Sequence, residues 1–460
     1  MKSYGLDDTI AAVATSAGES GIGIVRLSGK DALSVAGKIF VARKGGRPSD
    51  FKSHTLHYGW ISSGGKIIDE VILTIMRAPG SYTREDIVEI NCHGGIVPLR
   101  KVLELALENG CRLAQPGEFT KRAFLNGRID LAQAEAVLDV IKAKTDAALA
   151  LGMQQLKGLL SQQLCAIRGE LLEILAHLEA DIDFPDEGIA ALHMQQMLTK
   201  LTAAEGRIQG LLRQAPYGRI LREGLKAVIC GRPNTGKSSL LNALLRQERS
   251  IVTSIAGTTR DAIEEIIDIR GVPVRIADTA GIIEPRDLIE KKAIRRSKDY
   301  IAAADIVILV FDASKKLKVE DEFIIRRVKN KRVIPVLNKI DLVGHIEKER
   351  ISALLGEPVL LSAKKRLHID ALEEAIVTCA CAGGATVPEP ALVAHQRHIE
   401  QLKRAQKFIA GALTSLDNKL SGEFIAQDIR DALGHLDVIL GTQFSEDVLD
   451  RIFAEFCVGK

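Results

Sequence analysis

The sequence predicts a protein in which a mixed α/β domain comes first and a doubly wound α/β domain is inserted into a helical domain. Residues 9–92 hold five short runs that are rich in β-branched residues and separated by turn residues. Residues 225–361 alternate between strand-like and helix-like segments, as a parallel α/β sheet requires. On both sides of that segment, apolar residues recur at steps of three and four, which indicates amphipathic helices.

Composition places few limits on the function. The chain has 460 residues, a net charge of +3 and seven scattered cysteines without a C-x-x-C pair. Long chains with such cysteines usually keep their thiols reduced in a cytosol. Neither an N-terminal apolar leader nor an apolar run of membrane-spanning length is present. We therefore expect a cytoplasmic protein that does not enter a membrane.

The first domain is predicted to carry strands over 9–14, 22–27, 56–61, 67–76 and 87–92, followed by a helix that ends near Leu107. The glycines between Gly18 and Gly23 resemble a dinucleotide-binding fingerprint. They precede a strand and lead into no helix, so we interpret them as a turn between two strands.

Helical patterns cover residues 128–181, 193–214 and 390–460. They flank the second α/β segment on both sides, which favours one helical domain with an insertion over two independent helical domains. The predicted domains are 1–120 (mixed α/β), 121–220 (helical, first part), 221–378 (inserted α/β) and 379–460 (helical, second part).

The inserted domain contains a phosphate-binding P-loop. An octapeptide between an apolar run and a helical run fits G-x-x-x-x-G-K-[ST], namely Gly231-Arg232-Pro233-Asn234-Thr235-Gly236-Lys237-Ser238. Its glycines let backbone N–H groups converge on phosphate oxygens at a helix N-terminus. Lys237 is predicted to reach the β- and γ-phosphates, and the Ser238 hydroxyl to bind Mg²⁺.

Three later segments decide between ATP and GTP, and a fourth supplies a ligand to Mg²⁺. Asp278-Thr279-Ala280-Gly281 follows the third strand and suits Mg²⁺ and the γ-phosphate, and Gly257-Thr258-Thr259-Arg260-Asp261 supplies a second Mg²⁺ ligand, Thr259. Asn338-Lys339-Ile340-Asp341 presents a carboxylate to the N1–H and 2-amino donors of guanine, a donor pair that adenine lacks. Ser362-Ala363-Lys364 presents its backbone to guanine O6.

The predicted GTP-binding residues lie on these five loops and their immediate neighbours. They are Asn234, Thr235, Gly236, Lys237, Ser238, Ser239, Thr253, Ser254, Ile255, Ala256, Gly257, Thr258, Thr259, Asp278, Thr279, Ala280, Gly281, Asn338, Lys339, Asp341, Ser362, Ala363 and Lys364.

This domain resembles the Ras-like translation-factor GTPases. It differs at Ile282, where those GTPases often carry a glutamine that orients the attacking water. Another group must then orient the attacking water. The nearby carboxylates are Glu284, Asp287 and Glu290.

Further motifs extend the resemblance over the whole chain. The chain as a whole is similar to the MnmE (TrmE) family of tRNA modification GTPases in a set of short segments. These are Asp8-Thr9-Ile10-Ala11-Ala12, Ser81-Tyr82-Thr83-Arg84-Glu85-Asp86, His93-Gly94-Gly95, Pro116-Gly117-Glu118-Phe119-Thr120, Ala123-Phe124-Leu125-Asn126-Gly127, Asp130-Leu131-Ala132-Gln133-Ala134-Glu135-Ala136 and Phe456-Cys457-Val458-Gly459-Lys460.

The resemblance implies a GTPase that acts with an FAD-containing partner, MnmG. Together such proteins add an aminomethyl or carboxymethylaminomethyl group to C5 of the wobble uridine, position 34, of certain tRNAs. The carbon comes from a tetrahydrofolate derivative (5,10-methylene or 5-formyl) bound by the N-terminal domain. The family positions for that ligand match Arg26, Glu89, Arg128 and Lys460. Without the resemblance, Arg26, Glu89 and Arg128 would be interpreted as surface charges.

The resemblance also implies a homodimer formed through the N-terminal domains, a heterotetramer with MnmG, and a K⁺ ion beside the nucleotide. The K⁺ ligands match Asn234, Thr253, Ile255 and Thr258. The catalytic glutamate of the family matches Glu290, so we prefer it to Asp287.

Two questions stay open from the sequence. Cys457 matches the family's C-terminal cysteine, and we interpret it either as a catalytic thiol near Lys460 or as a small apolar residue packed in a helical tail. The alternative function for the whole chain is a regulatory GTPase of ribosome assembly that carries out no modification chemistry.

Overall fold

The computed structural model describes residues 7–16, 18–183, 191–247, 264–278, 300–381 and 392–460. Residues divide into two compact units by their contacts. The first comprises residues 1–138 and 440–460, and the second comprises residues 139–439. This division does not separate the inserted α/β domain from the helices that flank it, so the four predicted domain boundaries stay predictions.

Seven strands of the first unit form one mixed sheet, in the order β3-β4-β5-β6-β2-β1-β7. Neighbouring strands are antiparallel except β1 and β7, which are parallel. The strands are β1 (Ile10–Val13), β2 (Ser20–Ser28), β3 (Phe40–Ala42), β4 (Thr55–Ser63), β5 (Lys66–Met76), β6 (Ile87–Gly94) and β7 (Arg112–Leu113).

The two faces of this sheet differ. One face forms an aliphatic core with helices α1 (Ala32–Ile39) and α2 (Ile96–Glu108). On the other face, the β1 end lies against Phe119, which belongs to α3 (Glu118–Leu125). Strands β4 and β5 expose apolar side chains on this second face, where Leu56 is 69% and Ile72 is 44% accessible.

Helix α3 is anchored by a buried cluster of charges. Arg122 is 2% exposed and donates hydrogen bonds to Asp8, Glu85 and Glu118. Burial opposes ionisation of Glu118, but the hydrogen bonds from Arg112 and from the Gln115 backbone outweigh it and lower the pKa of Glu118. Glu118 is therefore ionised and paired at neutral pH.

The first unit also contains residues 440–460. Helix α14 (Glu446–Phe453) packs with α3 and with the start of α4 (Leu131–Lys142) through an apolar cluster that includes Phe124, Leu131 and Phe453.

The second unit contains a six-stranded sheet in the order β13-β12-β11-β8-β10-β9. All neighbours are parallel except β9, which is antiparallel to β10. The strands are β8 (Leu225–Cys230), β9 (Glu264–Ile269), β10 (Val272–Asp278), β11 (Ile306–Asp312), β12 (Arg332–Asn338) and β13 (Val359–Leu360).

Helices lie on both faces of this sheet and flank it in sequence. Those that alternate with strands are α8 (Lys237–Gln247), α9 (Val319–Val328), α10 (Lys348–Leu355) and α11 (Ile369–Ala380). Those that flank the sheet are α5 (Asp146–Leu156), α6 (Leu159–Asp183), α7 (Ala191–Glu223), α12 (Gln396–Asp417) and α13 (Gly422–Leu440). The predicted fold class, an α/β domain inserted into a helical domain after a mixed α/β domain, is confirmed. In the described ranges, no helix is long and apolar enough to cross a membrane.

The helical pattern predicted over 128–181 is confirmed as three helices, α4, α5 and α6, and Thr145 caps the start of α5 by accepting a hydrogen bond from Ala148 N. One detail of the prediction was wrong. Helix α7 was predicted to end near residue 214 but continues through Pro216 to Glu223. Burial of Tyr217, Ile220 and Leu221 in the core of the second unit outweighs the cost of the proline.

Candidate functional site

The P-loop lies between β8 and α8, at the carboxyl edge of the parallel strands. Gly236 adopts φ +96°, and a Cβ added there would lie 2.2 Å from Nδ2 of Asn338. Any side chain at this position would be strained and would displace Asn338. The glycine thus lets the loop approach the next recognition segment closely, as a loop that wraps a phosphate requires.

Lys237 and Thr235 are held by the loop itself. The Lys237 side chain is 7% exposed, and its ammonium group donates to the carbonyl oxygens of Gly231 (3.0 Å) and Arg232 (2.9 Å). The Thr235 hydroxyl donates to the Arg232 carbonyl at 2.9 Å. Ser238 and Ser239 are exposed in the first turn of α8, where a Mg²⁺-bound phosphate would meet the helix N-terminus.

Asn338 joins three of the predicted segments. Its Nδ2 donates to the Thr235 carbonyl at 2.8 Å, and its Oδ1 accepts from the Ala363 backbone N–H at 2.9 Å. Asn338 is 2% exposed, so both contacts are shielded from water. One buried amide therefore links the P-loop to the Asn338-Lys339-Ile340-Asp341 loop and to the Ser362-Ala363-Lys364 loop.

Asp341 is oriented by Ser362. The Ser362 hydroxyl donates to Oδ1 of Asp341 at 2.6 Å, and this hydrogen bond lowers the pKa of the Asp341 carboxyl. Asp341 is exposed, and its second oxygen accepts no hydrogen bond from the described residues. A fixed, ionised carboxylate with a free oxygen suits the pair of donors on the guanine edge.

Sequence reasoning missed Asp312. It ends β11 directly beside Asn338, which is its partner in the parallel register. Burial opposes its ionisation, but the hydrogen bond from the Lys339 ammonium at 2.7 Å outweighs it and lowers its pKa. Lys339 also donates to the Asn234 carbonyl at 2.7 Å. The signal was available, because carboxyl ends of neighbouring parallel strands meet at one edge.

Part of the predicted nucleotide site lies outside the described residues. Asp278 ends β10 beside β8, so its backbone reaches the same sheet edge. The remaining members of the switch and K⁺ predictions are in ranges that the structure does not describe: Thr253, Ser254, Ile255, Ala256, Gly257, Thr258, Thr259, Thr279, Ala280, Gly281, Glu284, Asp287 and Glu290.

The first unit brings two of the four predicted folate residues into direct contact. Arg26 on β2 lies opposite Glu89 on β6, and its Nε donates to Glu89 Oε1 at 2.7 Å. The guanidinium lies 5.6 Å from the Phe119 ring centroid and donates to the Gly459 carbonyl at 3.3 Å. Glu89 Oε2 accepts no hydrogen bond from the described residues, so it is available to a ligand donor.

Residues 457–460 are attached to this site by backbone contacts. Gly117 N–H donates to the Cys457 carbonyl at 3.4 Å, and Phe119 N–H donates to the Lys460 carbonyl at 3.2 Å. Gly459 adopts φ +96°, and a Cβ there would lie 2.2 Å from the Val13 carbonyl oxygen. Only glycine allows the tail to pass so close to β1.

The other predicted residues of this site have distinct settings. Arg128 is exposed, and its guanidinium lies 4.7 Å from the ring centroid of Tyr82, whose hydroxyl hydrogen-bonds Thr120 at 2.9 Å. Lys460 is half-buried. Cys457 is exposed, and its thiol makes no hydrogen bond with the described residues.

Family models match most of the chain. The model of the GTP-binding protein TrmE N-terminus matches residues 9–128, and that of the MnmE helical domain matches residues 131–457. Among solved structures, a variant of Era from Aquifex aeolicus bound to GDP and aluminium fluoride is 30% identical and covers 40% of this chain and 65% of that chain, with a TM-score of 0.28. That score is too low to carry an argument, and the fold assignment rests on the sheet order above.

Three curated relatives, each named tRNA modification GTPase MnmE, match nearly the full length. The protein of Alkaliphilus oremlandii is 44% identical over 459 residues, 99% of this chain and 100% of the relative. That of Clostridioides difficile is 46% identical over 457 residues, with coverage of 99% and 100%. That of Bacillus subtilis is 45% identical over 458 residues, with coverage of 98% and 100%. With this identity over both chains, and with the helical-domain model matching more than half of the sequence, the chain belongs to the MnmE family of tRNA modification GTPases.

Proposed function

We propose that this chain hydrolyses GTP while it modifies C5 of the wobble uridine, position 34, of certain tRNAs. The group added is aminomethyl or carboxymethylaminomethyl, and the reaction takes place in the cytoplasm with the FAD-containing protein MnmG. The observation that carries the proposal is the buried Asn338 amide, which ties the P-loop to the two loops suited to guanine. Family membership supports the coupling of that GTPase to tRNA modification.

The base-recognition half of the GTP site is suited to guanine by its charge. The P-loop would hold the phosphates through backbone N–H groups and Lys237, and Ser238 would be a Mg²⁺ ligand together with Thr259. The ionised Asp341, oriented by Ser362, would accept from both donors on guanine. Adenine offers no such pair, so the site favours GTP.

Hydrolysis needs a group that orients water, because Ile282 cannot. We assign this role to Glu290. A K⁺ ion bound by Asn234, Thr253, Ile255 and Thr258 would add positive charge near the β- and γ-phosphates, as an arginine finger does in other GTPases. Of these four proposed K⁺ ligands, Asn234 lies in the described ranges, where it is exposed on the P-loop with φ +63°.

The N-terminal site is proposed to hold a tetrahydrofolate derivative, 5,10-methylene or 5-formyl, which would supply the one-carbon unit. The fit rests on Glu89, whose free oxygen can accept from the donor edge of a pterin. Arg128 has no carboxylate at ion-pair distance among the described residues, and it would attract the anionic glutamate tail. Lys460 and Cys457 are proposed as neighbours of the ligand and of the uridine.

The oligomeric state is proposed from an apolar surface. The sheet face that carries Arg26 and Glu89 continues over β4 and β5, where Leu56, Tyr58 and Ile72 are at least 41% exposed. An apolar sheet face of this kind marks an interface. We propose that two copies of the chain meet there as a homodimer, and that the dimer binds MnmG in a heterotetramer.

The test is chemical analysis of tRNA from a strain that lacks this gene. Mass spectrometry of wobble uridine should show loss of the modification, restoration by the parent chain, and no restoration by a Gly236→Val variant. The regulatory alternative predicts normal wobble uridine and abnormal ribosomal subunit profiles, and that result would refute the proposal.

A further inference from the structure

The loop between β3 and β4 carries a concentration of positive charge. Within residues 43–54, which we name the basic loop, Arg43, Lys44, Arg47 and Lys52 are all exposed. The loop contains one acidic residue, Asp50, which accepts a hydrogen bond from the Ser49 hydroxyl at 3.0 Å. The loop therefore has a net charge of +3.

None of these four cations lies at ion-pair distance from a carboxylate in the part of the chain that the structure describes. Elsewhere in the same unit, cations such as Arg112, Arg122 and Lys121 each pair with a carboxylate. The basic loop differs from its surroundings in density, because four unpaired cations fall within residues 43–52.

The loop is held in one conformation. Arg77 donates to the carbonyl oxygens of Ser49 (2.5 Å) and Phe51 (3.1 Å). Pro48 is buried, and the Phe51 ring stacks on His57 with centroids 3.5 Å apart. Because these contacts fix the backbone, the cations cannot spread apart freely to relieve their mutual repulsion.

A fixed cluster of like charges stabilises nothing within the monomer, and it is suited to a polyanion. The Arg43 guanidinium lies 5.5 Å from the Tyr58 ring centroid, so the loop adjoins the apolar face proposed as the dimer interface. In the proposed function, tRNA is the polyanion that this chain receives.

We propose that the basic loop binds the phosphate backbone of the tRNA substrate. This rests on the proposed function, in which tRNA is the substrate, and it adds the surface that receives the tRNA. Arg43, Lys44, Arg47 and Lys52 contact phosphates. Binding of this kind depends steeply on salt because it releases counterions.

The test compares two full-length double variants of equal charge change. Lys44→Ser/Lys52→Ser removes two cations of the basic loop. Lys30→Ser/Lys101→Ser removes two exposed cations without ion pairs among the described residues of the same unit. Affinity for unmodified tRNA is measured by fluorescence anisotropy at several KCl concentrations, and GTP hydrolysis without tRNA serves as the check of folding.

The loop variant should bind tRNA about ten-fold more weakly at low salt. The slope of its log affinity against log salt concentration should be smaller in magnitude by about one to two. The control should bind as the parent does, and Arg47→Lys should bind nearly as the parent does because the charge is kept. All variants should hydrolyse GTP at the parent rate.

Two outcomes would refute tRNA binding by the basic loop, and a third would also refute the proposed function of the chain. Equal tRNA affinity of the two double variants removes the basic loop from tRNA binding and leaves the proposed function standing. Normal tRNA binding by the loop variant with lost binding to MnmG would assign the loop to an acidic protein surface instead. A parent chain that binds no tRNA, alone or with MnmG, would refute the proposed function itself.

Discussion

Replacing Asp341 by asparagine should change the nucleotide that the second unit prefers. In the parent, Ser362 donates to one carboxylate oxygen at 2.6 Å and leaves the other for the base. The asparagine carbonyl can keep the bond from Ser362, which would point the new amide NH₂ at the base. That group donates where the 2-amino group of guanine also donates, so the contact becomes unfavourable, whereas the C2 carbonyl of xanthine can accept it.

The magnitude follows from the number of bonds that change. Asp341→Asn replaces two charge-assisted hydrogen bonds to guanine with at most one neutral contact. GTP affinity should fall roughly 100-fold or more, since each such bond is worth about a factor of ten. XTP affinity should rise by a similar factor.

The assay is equilibrium binding of GTP and XTP to the full-length chain, with circular dichroism to confirm folding. Ser362→Ala is the matched control, because it removes the orienting hydroxyl but keeps the carboxylate. It should weaken GTP binding only several-fold and should not favour XTP. If Asp341→Asn keeps the parent preference for GTP, Asp341 is not the residue that reads the base, and the argument from Ser362 fails with it.

Four further predictions concern the rest of the chain. Glu290→Ala should lower kcat for GTP about 100-fold with GTP affinity changed only a few-fold, while Asp287→Ala should change kcat little. If Glu290→Ala hydrolyses GTP at the parent rate in KCl and Asp287→Ala is slow, the role belongs to Asp287. GTP turnover should be faster in KCl than in NaCl at equal ionic strength, and equal rates would exclude the K⁺ site. Cys457→Ser should leave GTP hydrolysis intact and reduce tRNA modification, whereas full modification would assign the thiol to packing. Arg122→Met should lower the free energy of unfolding by about 3 kcal/mol in urea at pH 7, because buried carboxylates lose their partner. This deficit should shrink as the pH falls through the lowered pKa of Glu118, since the parent then loses the same ion pairs, and an unchanged deficit at low pH would contradict the ion-pair explanation.

Local patterns were enough to predict most strands and the phosphate-binding loop. Strand β8, for example, coincides with the apolar run that precedes the P-loop, because a buried parallel strand is a short apolar run between turn residues. The P-loop was predictable because its function depends on backbone conformation over eight successive residues. Asp312 could have been found from the same logic, since it ends the strand beside Asn338.

Contacts between distant segments could not be predicted from local patterns. The Arg26 guanidinium binds the Gly459 carbonyl across 433 residues, and nothing in the spacing of either segment signals the other. These residues entered the sequence analysis only through resemblance to the MnmE family. Continuation of α7 past Pro216 was missed for a related reason: the cost of proline is local, and the burial of Tyr217 and Leu221 that outweighs it is tertiary.

Residues 440–460 belong to the same compact unit as residues 1–138, and this has a consequence during synthesis. A ribosome that has completed Leu138 must add about 300 more residues before the remaining part of that unit exists, which takes about 15–60 s at 5–20 residues per second. Throughout that interval the nascent N-terminal sheet lacks the tail that crosses β1 at Gly459. A ribosome that stops between residues 381 and 439 would therefore release a chain that has every segment of the GTP site but lacks the tail that completes the Arg26 site.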